Sequence, residues 1–287
     1  MKILDPTLMG IKEISNFLTS AVVPRPIAFV STINEQGIPN LSPFSFFNVF
    51  SSDPVILIFS AAKSALTGQQ KHTYLNAKQN KECVIHIANF SMVEQLSVTS
   101  GLYPHGVNEF EKGGFEAIAS TLVKPPRVKV APIAFECNVD QIIELGDKGG
   151  AGNLIICRAL LIHVDDQILD EKGNVITEKL DPIARLGYNN YIKVTSDSIF
   201  TSPKPTKSLG IGADAIPNWI HSLHILNGNE IGKLAGIASL PDKNEVLEHR
   251  ELVKKIPPDD LNKLLLIQSL LHDNLVKEAW MVILYRH

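Results

Sequence analysis

The chain has no G-x-S-x-G elbow, no H-E-x-x-H pair and no G-x-x-x-x-G-K-[ST] loop. These absences remove the familiar signatures of serine hydrolases, zinc proteases and nucleoside triphosphatases. Cysteine is scarce: Cys83, Cys137 and Cys157 have no C-x-x-C spacing and each lies in an apolar segment. They read as buried free thiols, which points to a reducing cytoplasm. No apolar run approaches the ~18 residues of a membrane-spanning helix. The opening MKILDPTLMGIKEIS has neither a sustained apolar core nor a small-residue cleavage pattern, so no secretory signal is expected. A formal charge of -3 gives no field for nucleic acid or a membrane surface.

What is present is enough chain for a full hydrophobic core, 287 residues with 45% apolar. Residues 27–33 and 38–48 are β-rich runs separated by Asn34-Glu35-Gln36-Gly37, which predicts a hairpin. Residues 55–59 (VILIF) add a strand, and because both faces of these runs are apolar they are expected inside a barrel or sandwich. Helices are expected at 73–80 and 91–100 around a strand at 82–88, with Ser91 and Glu94 at capping-box spacing. Residues 101–130 carry Gly and Pro too densely for regular structure and form a long excursion. Two long β runs, 131–145 and 153–164, and a turn at 170–174 complete a mainly β, α+β region. After TSPKPTKS (201–208), read as a linker, the pattern becomes helical, so the expected organisation is 1–205 and 206–287. Asn227-Gly228-Asn229 and Pro257-Pro258-Asp259-Asp260 punctuate those helices, and Leu261, Leu264, Leu265, Leu271 and Leu275 fall on one broad face. That face fits capping the barrel, extending a dimer, covering a cofactor or docking a partner.

Few residues announce chemistry. Gly210-Ile211-Gly212 follows a linker rather than a strand, which weighs against a dinucleotide fingerprint. His221 and His224 lack a third ligand and read as helix-surface histidines. Asp165-Asp166 and Asp170-Glu171 sit where carboxylates usually fix turns. Ser60, Lys63, Lys71, Thr73 and Asn76 offer hydroxyls, amides and cations around a helix start, with Thr73 as N-cap. That set suits a phosphate cradle, and it equally suits an ordinary surface helix.

Several stretches occur together and in order: PRPIAFVST (24–32), G-x-x-N-L-S-P-F-S-F-F-N (37–48), SSDP (51–54), KHTYLN (71–76) and YPHGVNEFEKGGF (103–115). KPPRV (124–128), GNLIICRALLIHVDD (152–166) and ARLGYNNY (184–191) follow. In this combination the chain resembles the flavin reductase-like family of FMN-binding split β-barrel proteins. The resemblance covers most of residues 20–195 and implies a split β-barrel with a C-terminal helical extension, a homodimer, and one FMN per barrel near the subunit interface. It implies Ser42, Ser45 and Asn48 at the polar edge of the flavin ring, with Pro43 and Phe44 as a packing wall. Ser31 and Thr32 would face the ribityl chain, and Ser60, Lys71, Thr73 and Asn76 the phosphate. Arg25, with Pro26 beside it, and Arg185 become candidates for the phosphate or an incoming dinucleotide. His105, in the irregular excursion, is a candidate for substrate access, set against the plainer reading of an exposed loop histidine.

The activity implied is hydride transfer from NADH or NADPH to flavin and on to an acceptor, with an oxygenase or redox protein as a possible partner. A flavin-binding electron carrier and a non-enzymatic interaction protein on the same barrel are the competing readings. Departures from the family pattern are His72, where Asp is usual between Lys and Thr, Tyr188 in place of a second glycine, and the lengthened AKSALTGQ approach.

Overall fold

Asn34 starts the first turn as its chemistry predicts: its Oδ1 accepts from the amides of Gln36 (3.0 Å) and Ile38 (2.8 Å). Gly37 takes φ +79°, the left-handed region that glycine enters freely. On either side run β1 (Ala28–Ile33) and β2 (Pro39–Phe44), antiparallel, with Thr32 opposite Asn40 and Val30 opposite Ser42. The expected single run over 38–48 is broken. Ser45 and Phe46 separate β2 from β3 (Phe47–Ser52), which pairs with β4 (Val55–Ser60) across a register shift between Val49 and Ser51. Nor is β3 an inside strand, because Asn48, Val49 and Phe50 are exposed.

The computed structural model describes residues 1–65, 67–202, 204 and 208–285, in two units, Met1–Phe200 and Thr201–His287. Residues 203 and 205–207 of the expected linker, and with them the expected boundary at 205/206, lie outside the described residues. In the first unit a helix α1 (Ile11–Ala21) precedes β1. After β4 come α2 (His72–Asn80), β5 (Glu82–Ile87), α3 (Val93–Thr99) and α4 (Glu109–Gly113). Two-residue strands β6 (Ala117–Ile118) and β7 (Arg127–Val128) lead to the long hairpin β8 (Ile133–Glu144) and β9 (Asn153–Val164). A short α5 (Thr177–Leu180) and a second hairpin, β10 (Ile183–Arg185) and β11 (Tyr191–Lys193), follow. Ser91 does not cap α3: its hydroxyl donates to Asn89 Oδ1 (2.9 Å), and the helix starts one residue after Met92.

The main sheet has the order β2-β1-β5-β8-β9-β4-β3, antiparallel throughout, so β2 and β3 are its two edges. Laid flat, seven strands would separate those edges by roughly 29 Å. Two intervening residues span at most about 11 Å. The sheet therefore curls until its edges meet at Ser45-Phe46 and diverge from there, which makes a split barrel. Inside it pack Ala28, Val30, Phe44, Leu57, Phe59 and the three cysteines, which are free and buried. Tyr74 and Ala77 of α2 belong to the same cluster. The other face of β1 is also covered: Phe29 and Leu41 pack with Leu96 of α3 and Phe110 of α4.

Arg25 ties the ends of this unit together. It is buried and forms an isolated antiparallel bridge with Arg185, next to the β10 strand end. Its guanidinium donates to Thr19 O and Val22 O (2.8 Å) at the C-terminus of α1, to Leu186 O (2.9 Å), and through Nε to Ser45 Oγ (3.3 Å). The carbonyls that end a helix have no internal partner, and a planar fork of five donors supplies them. Close approach of α1 requires Gly187, where an added Cβ would lie 2.2 Å from Ser20 Oγ.

The second unit is helical. It holds α6 (Asn218–Ser222), α7 (Gly228–Ala235), α8 (Lys243–Glu248), α9 (Arg250–Val253), α10 (Asp260–His272) and α11 (Val276–Leu284). Asn227 and Glu230 form a capping box on α7, and Asp259 caps α10 by accepting from Asn262 N (2.9 Å). Its core gathers Ile220, Leu234, Leu264, Ile267, Leu271 and Trp280, whose Nε1 donates to Leu234 O (2.9 Å). The expected leucine face is corrected: Leu264 and Leu271 are buried with Ile267, whereas Leu261, Leu265 and Leu275 are exposed. Ile267, absent from the expected set, completes the 264, 267, 271 stripe at helical spacing. Among the described residues no three His, Cys, Asp or Glu gather as a metal site, so His221 and His224 have no third such ligand.

Two stability effects follow. Arg25→Lys replaces a fork by a point charge that cannot serve four oxygens on three segments, and is expected to cost about 2–4 kcal/mol in denaturant unfolding. His86 is fully buried, with Nδ1 donating to Phe29 O (2.8 Å) and Nε2 accepting from Val128 N (2.9 Å), which fixes the neutral ring. Burial pushes its pKa from 6.5 down to about 4. Above pH 6.5 the ring is neutral in both folded and unfolded chains. Below it, only the unfolded chain takes up the proton, so stability falls between pH 6.5 and 4, by about 3 kcal/mol at most. Urea midpoints at pH 7.5 and 4.5 should separate less in His86→Gln than in the wild type; an equal separation would count against this assignment.

Candidate functional site

The break between β2 and β3 exposes main chain that a continuous sheet would have consumed, because both are edge strands. Ser42 and Phe44 share the barrel-interior face of β2 with Val30 and Ala28, their register partners. Phe44 is buried and packs on Phe59 with ring centroids 5.2 Å apart. Pro43, opposite Phe29, faces the other way, and Ser42, Pro43 and Ser45 are each half-buried. Ser45 is held by Arg25, while Asn48 is exposed and its Oδ1 accepts from the adjacent Val49 N (2.8 Å). Alternation along β1 separates two expected neighbours. Ser31 lies on the Phe29 face and Thr32 on the Val30 face, so one ribityl chain cannot meet both side chains. The arginines are likewise committed. Arg25 is sealed among carbonyls, and Arg185 donates to Tyr188 O (2.6 Å) with its guanidinium 4.4 Å from the Tyr191 ring centroid. Pro26 is exposed beside them.

The start of α2 supplies the other half. Its N-cap is Lys71, not Thr73, and no side chain caps the first-turn amides. Lys71 is half-buried, its Nζ has no hydrogen-bond or ion-pair partner among the described residues, and burial lowers its pKa. Next to it in sequence, Gln70 accepts through Oε1 from Asn153 Nδ2 (2.7 Å), which also donates to Ala61 O (2.7 Å). This binds the 61–71 approach to the start of β9. Ser60 Oγ and Asn153 Oδ1 are buried there without a hydrogen-bond partner. An uncompensated cation, unfilled helix amides and orphaned buried polar atoms together form an environment suited to an anion with further hydroxyls.

Thr73 and Asn76 do not join that cradle. Both are buried and engaged within the fold: Thr73 Oγ1 donates to Asn40 Oδ1 (2.7 Å), and Asn76 Nδ2 donates one of its two N–H groups to Thr32 Oγ1 (3.2 Å). Thr32 Oγ1 donates in turn to Asn40 Oδ1 (3.3 Å). Asn40 was not anticipated as the residue that joins them, nor was Glu109, whose Oε2 accepts from Leu41 N (3.1 Å). The available signal was a buried-strand pattern interrupted by polar residues at 32 and 40, on opposite sides of a four-residue turn. His105 is exposed and stands edge-on to His72, centroids 5.2 Å apart, at a cleft also lined by Asn34, Asn40, Asn76 and Gly106. Burial first, then His105 and Lys71, lower the His72 pKa.

Comparison with known proteins bears on the family and the fold. An uncharacterized protein of Bacillus subtilis (strain 168), YwrF, is 34% identical over 209 residues, covering 72% of this chain and all of the relative. The crystal structure of nitrilotriacetate monooxygenase component B from Bacillus cereus superposes with a TM-score of 0.65 at 32% identity, over 68% of this chain and 96% of that one. Pseudomonas fluorescens 2-nitrobenzoate 2-nitroreductase superposes at 0.63 and 25% identity, over 73% of this chain and 100% of that one. The family described as "Flavin reductase like domain" matches residues 20–186, and the chain belongs to it.

Proposed function

We propose that the protein is an FMN-dependent oxidoreductase of the flavin reductase type, using NADH or NADPH as reductant. The observation that carries this reading is the pairing of an open β2–β3 bend with an uncompensated lysine at the start of α2. FMN joins the same two chemistries, a flat ring with a hydrogen-bonding edge and a phosphate. The donor set fits it: Lys71 Nζ and the first-turn amides of α2 for the phosphate, the orphaned Ser60 hydroxyl beside them, and Ser42, Ser45 and main-chain groups of the bend for the ring edge. When bound, FMN accepts a hydride from the nicotinamide and passes electrons to an acceptor.

The chain's own residues bind, orient and exclude water. Phe44 walls the interior side of the bend, Pro43 lies on its opposite side, and Arg25 steadies Ser45. Hydride transfer of this kind asks for orientation and exclusion of water rather than a protein acid or base. Exposed apolar residues on β3 (Val49, Phe50) and β9 (Leu160, Ile162) support a homodimer. Among the described residues no helix is long and apolar enough to cross a membrane, and a cytoplasmic setting belongs to this proposal. Nitrilotriacetate monooxygenase component B suggests an oxygenase as the consumer of reduced flavin.

The first test is an anaerobic visible spectrum of the protein with FMN, before and after NADH or NADPH. Loss of the oxidised-flavin band at a catalytic rate is expected. Tight FMN uptake without bleaching by either nucleotide would favour an electron carrier served by protein partners, and no uptake at all would leave an interaction protein. In the same preparation Lys71→Ala should raise the FMN Kd about 10- to 100-fold, the loss of one charge-assisted contact, with an apoprotein unfolding midpoint no lower than that of the wild type. Equal affinity in that variant would remove Lys71 from the phosphate site.

A further inference from the structure

Glu109 is a buried carboxylate that the proposed chemistry does not use. Its Oε2 accepts from the Leu41 amide (3.1 Å); burial raises its pKa, and that amide together with the neighbouring Asn40 side chain favours the charged form against burial. Leu41 lies on edge strand β2, so its N–H has no further strand to meet and the carboxylate takes that place. A carboxylate can only accept, so Asn40 must turn its NH₂ toward Glu109. Its Oδ1 then faces Thr73 and Thr32, and both hydroxyls must donate to it. Thr32 is left with lone pairs, which receive Asn76 Nδ2. One charge on α4 thus sets the direction of the three side-chain hydrogen bonds that join Asn40, Thr73, Thr32 and Asn76 across β2, β1 and α2.

We infer that Glu109 is a positioning residue that sets the polarity of the Asn40 amide and so locks α2 against β2. The consequence rests on the flavin reading above. Asn40 stands two residues before Ser42, and Thr73 two residues after Lys71, so this lock holds the ring-edge group and the phosphate group at a fixed separation. Glu109 touches neither.

The test exchanges the polarity of the pair. In Glu109→Gln, the new amide keeps the Leu41 bond through its oxygen but presents NH₂ to the Asn40 NH₂. Asn40 must flip, and the Thr73 and Thr32 hydroxyls then face donors. In Asn40→Asp alone two carboxylates confront each other. The double variant Glu109→Gln with Asn40→Asp restores every bond: the amide introduced at position 109 donates to the carboxylate introduced at position 40, whose other oxygen still accepts from both threonines. FMN Kd, titrated by quenching of flavin fluorescence, should rise at least tenfold in Glu109→Gln and return to within about threefold of wild type in the double variant. Urea midpoints of the four proteins are measured alongside.

A folded double variant with no better affinity than Glu109→Gln would overturn the inference. If Glu109→Gln does not fold and the double variant does, the inference stands. If the wild type takes up no FMN, the flavin reading fails by itself, and the urea midpoints decide the lock: loss in the single variants with recovery in the double supports it, and loss without recovery overturns it.

Discussion

The first unit depends on one buried guanidinium. A seven-stranded antiparallel sheet that curls until its edges meet leaves a seam at Ser45-Phe46, and among the described residues the strands hold that seam only through Ser60 N donating to Phe46 O (2.8 Å). Arg25 secures it by joining segments from both ends of the unit, the last turn of α1 and the residue after β10, to the seam itself. Burial and the neighbouring Arg185 both disfavour its charge. The four oxygens around it offset that cost only together, because each alone is a single hydrogen bond. A charge that looks like a phosphate ligand in the sequence is consumed in closing the fold.

That closure decides where chemistry can happen. β2 and β3 present edges that other β proteins pair, cover or charge, and here they diverge from a held seam. Main-chain donors and acceptors therefore remain beside an aromatic wall, which is what a flat heterocycle requires. At α2 the amides of the first turn remain without a side-chain cap, and Lys71 has no counter-ion among the described residues. The two halves lie on different elements, so their spacing depends on how α2 seats against the sheet. The Thr73–Asn40–Thr32–Asn76 bonds make that seat polar and directional, whereas an apolar contact would allow sliding.

Much of this was legible in the sequence, and the reasons for the rest are specific. The hairpin at Asn34–Gly37 and the β8–β9 pair follow from turn chemistry and alternation, which are local. The bend at Ser45-Phe46 is not local: Phe44, Phe46 and Phe47 continue an apolar run, and only the order of the whole sheet breaks it. The misplaced N-cap has the same origin, since Thr73 is a good capping residue and tertiary partners drew it inside instead. The side chains of Ser31 and Thr32 were joined by proximity in sequence and are separated by the period of a strand. In the tail, leucine identity overstated the buried face, because Leu261 and Leu265 flank a stripe that Ile267 completes. What the sequence could not disclose was commitment: Arg25, Thr73 and Asn76 have the chemistry of ligands, but the fold already engages their side chains.

The site is also costly to the apoprotein, and that cost is informative. A half-buried cation without a side-chain partner and two orphaned polar atoms each destabilise the chain relative to apolar replacements of similar volume. None of them is needed to close the barrel, which Arg25 and the two hydrophobic layers already accomplish. Groups that weaken the empty state and are spared by the core are groups whose compensation comes from outside the chain. An anionic, hydroxyl-bearing ligand held between β2 and α2 supplies that compensation and stabilises the folded state by mass action as it binds. Unsatisfied polarity on the first turn of α2 and the end of β4 is thus the feature of this unit that the proposed flavin site explains.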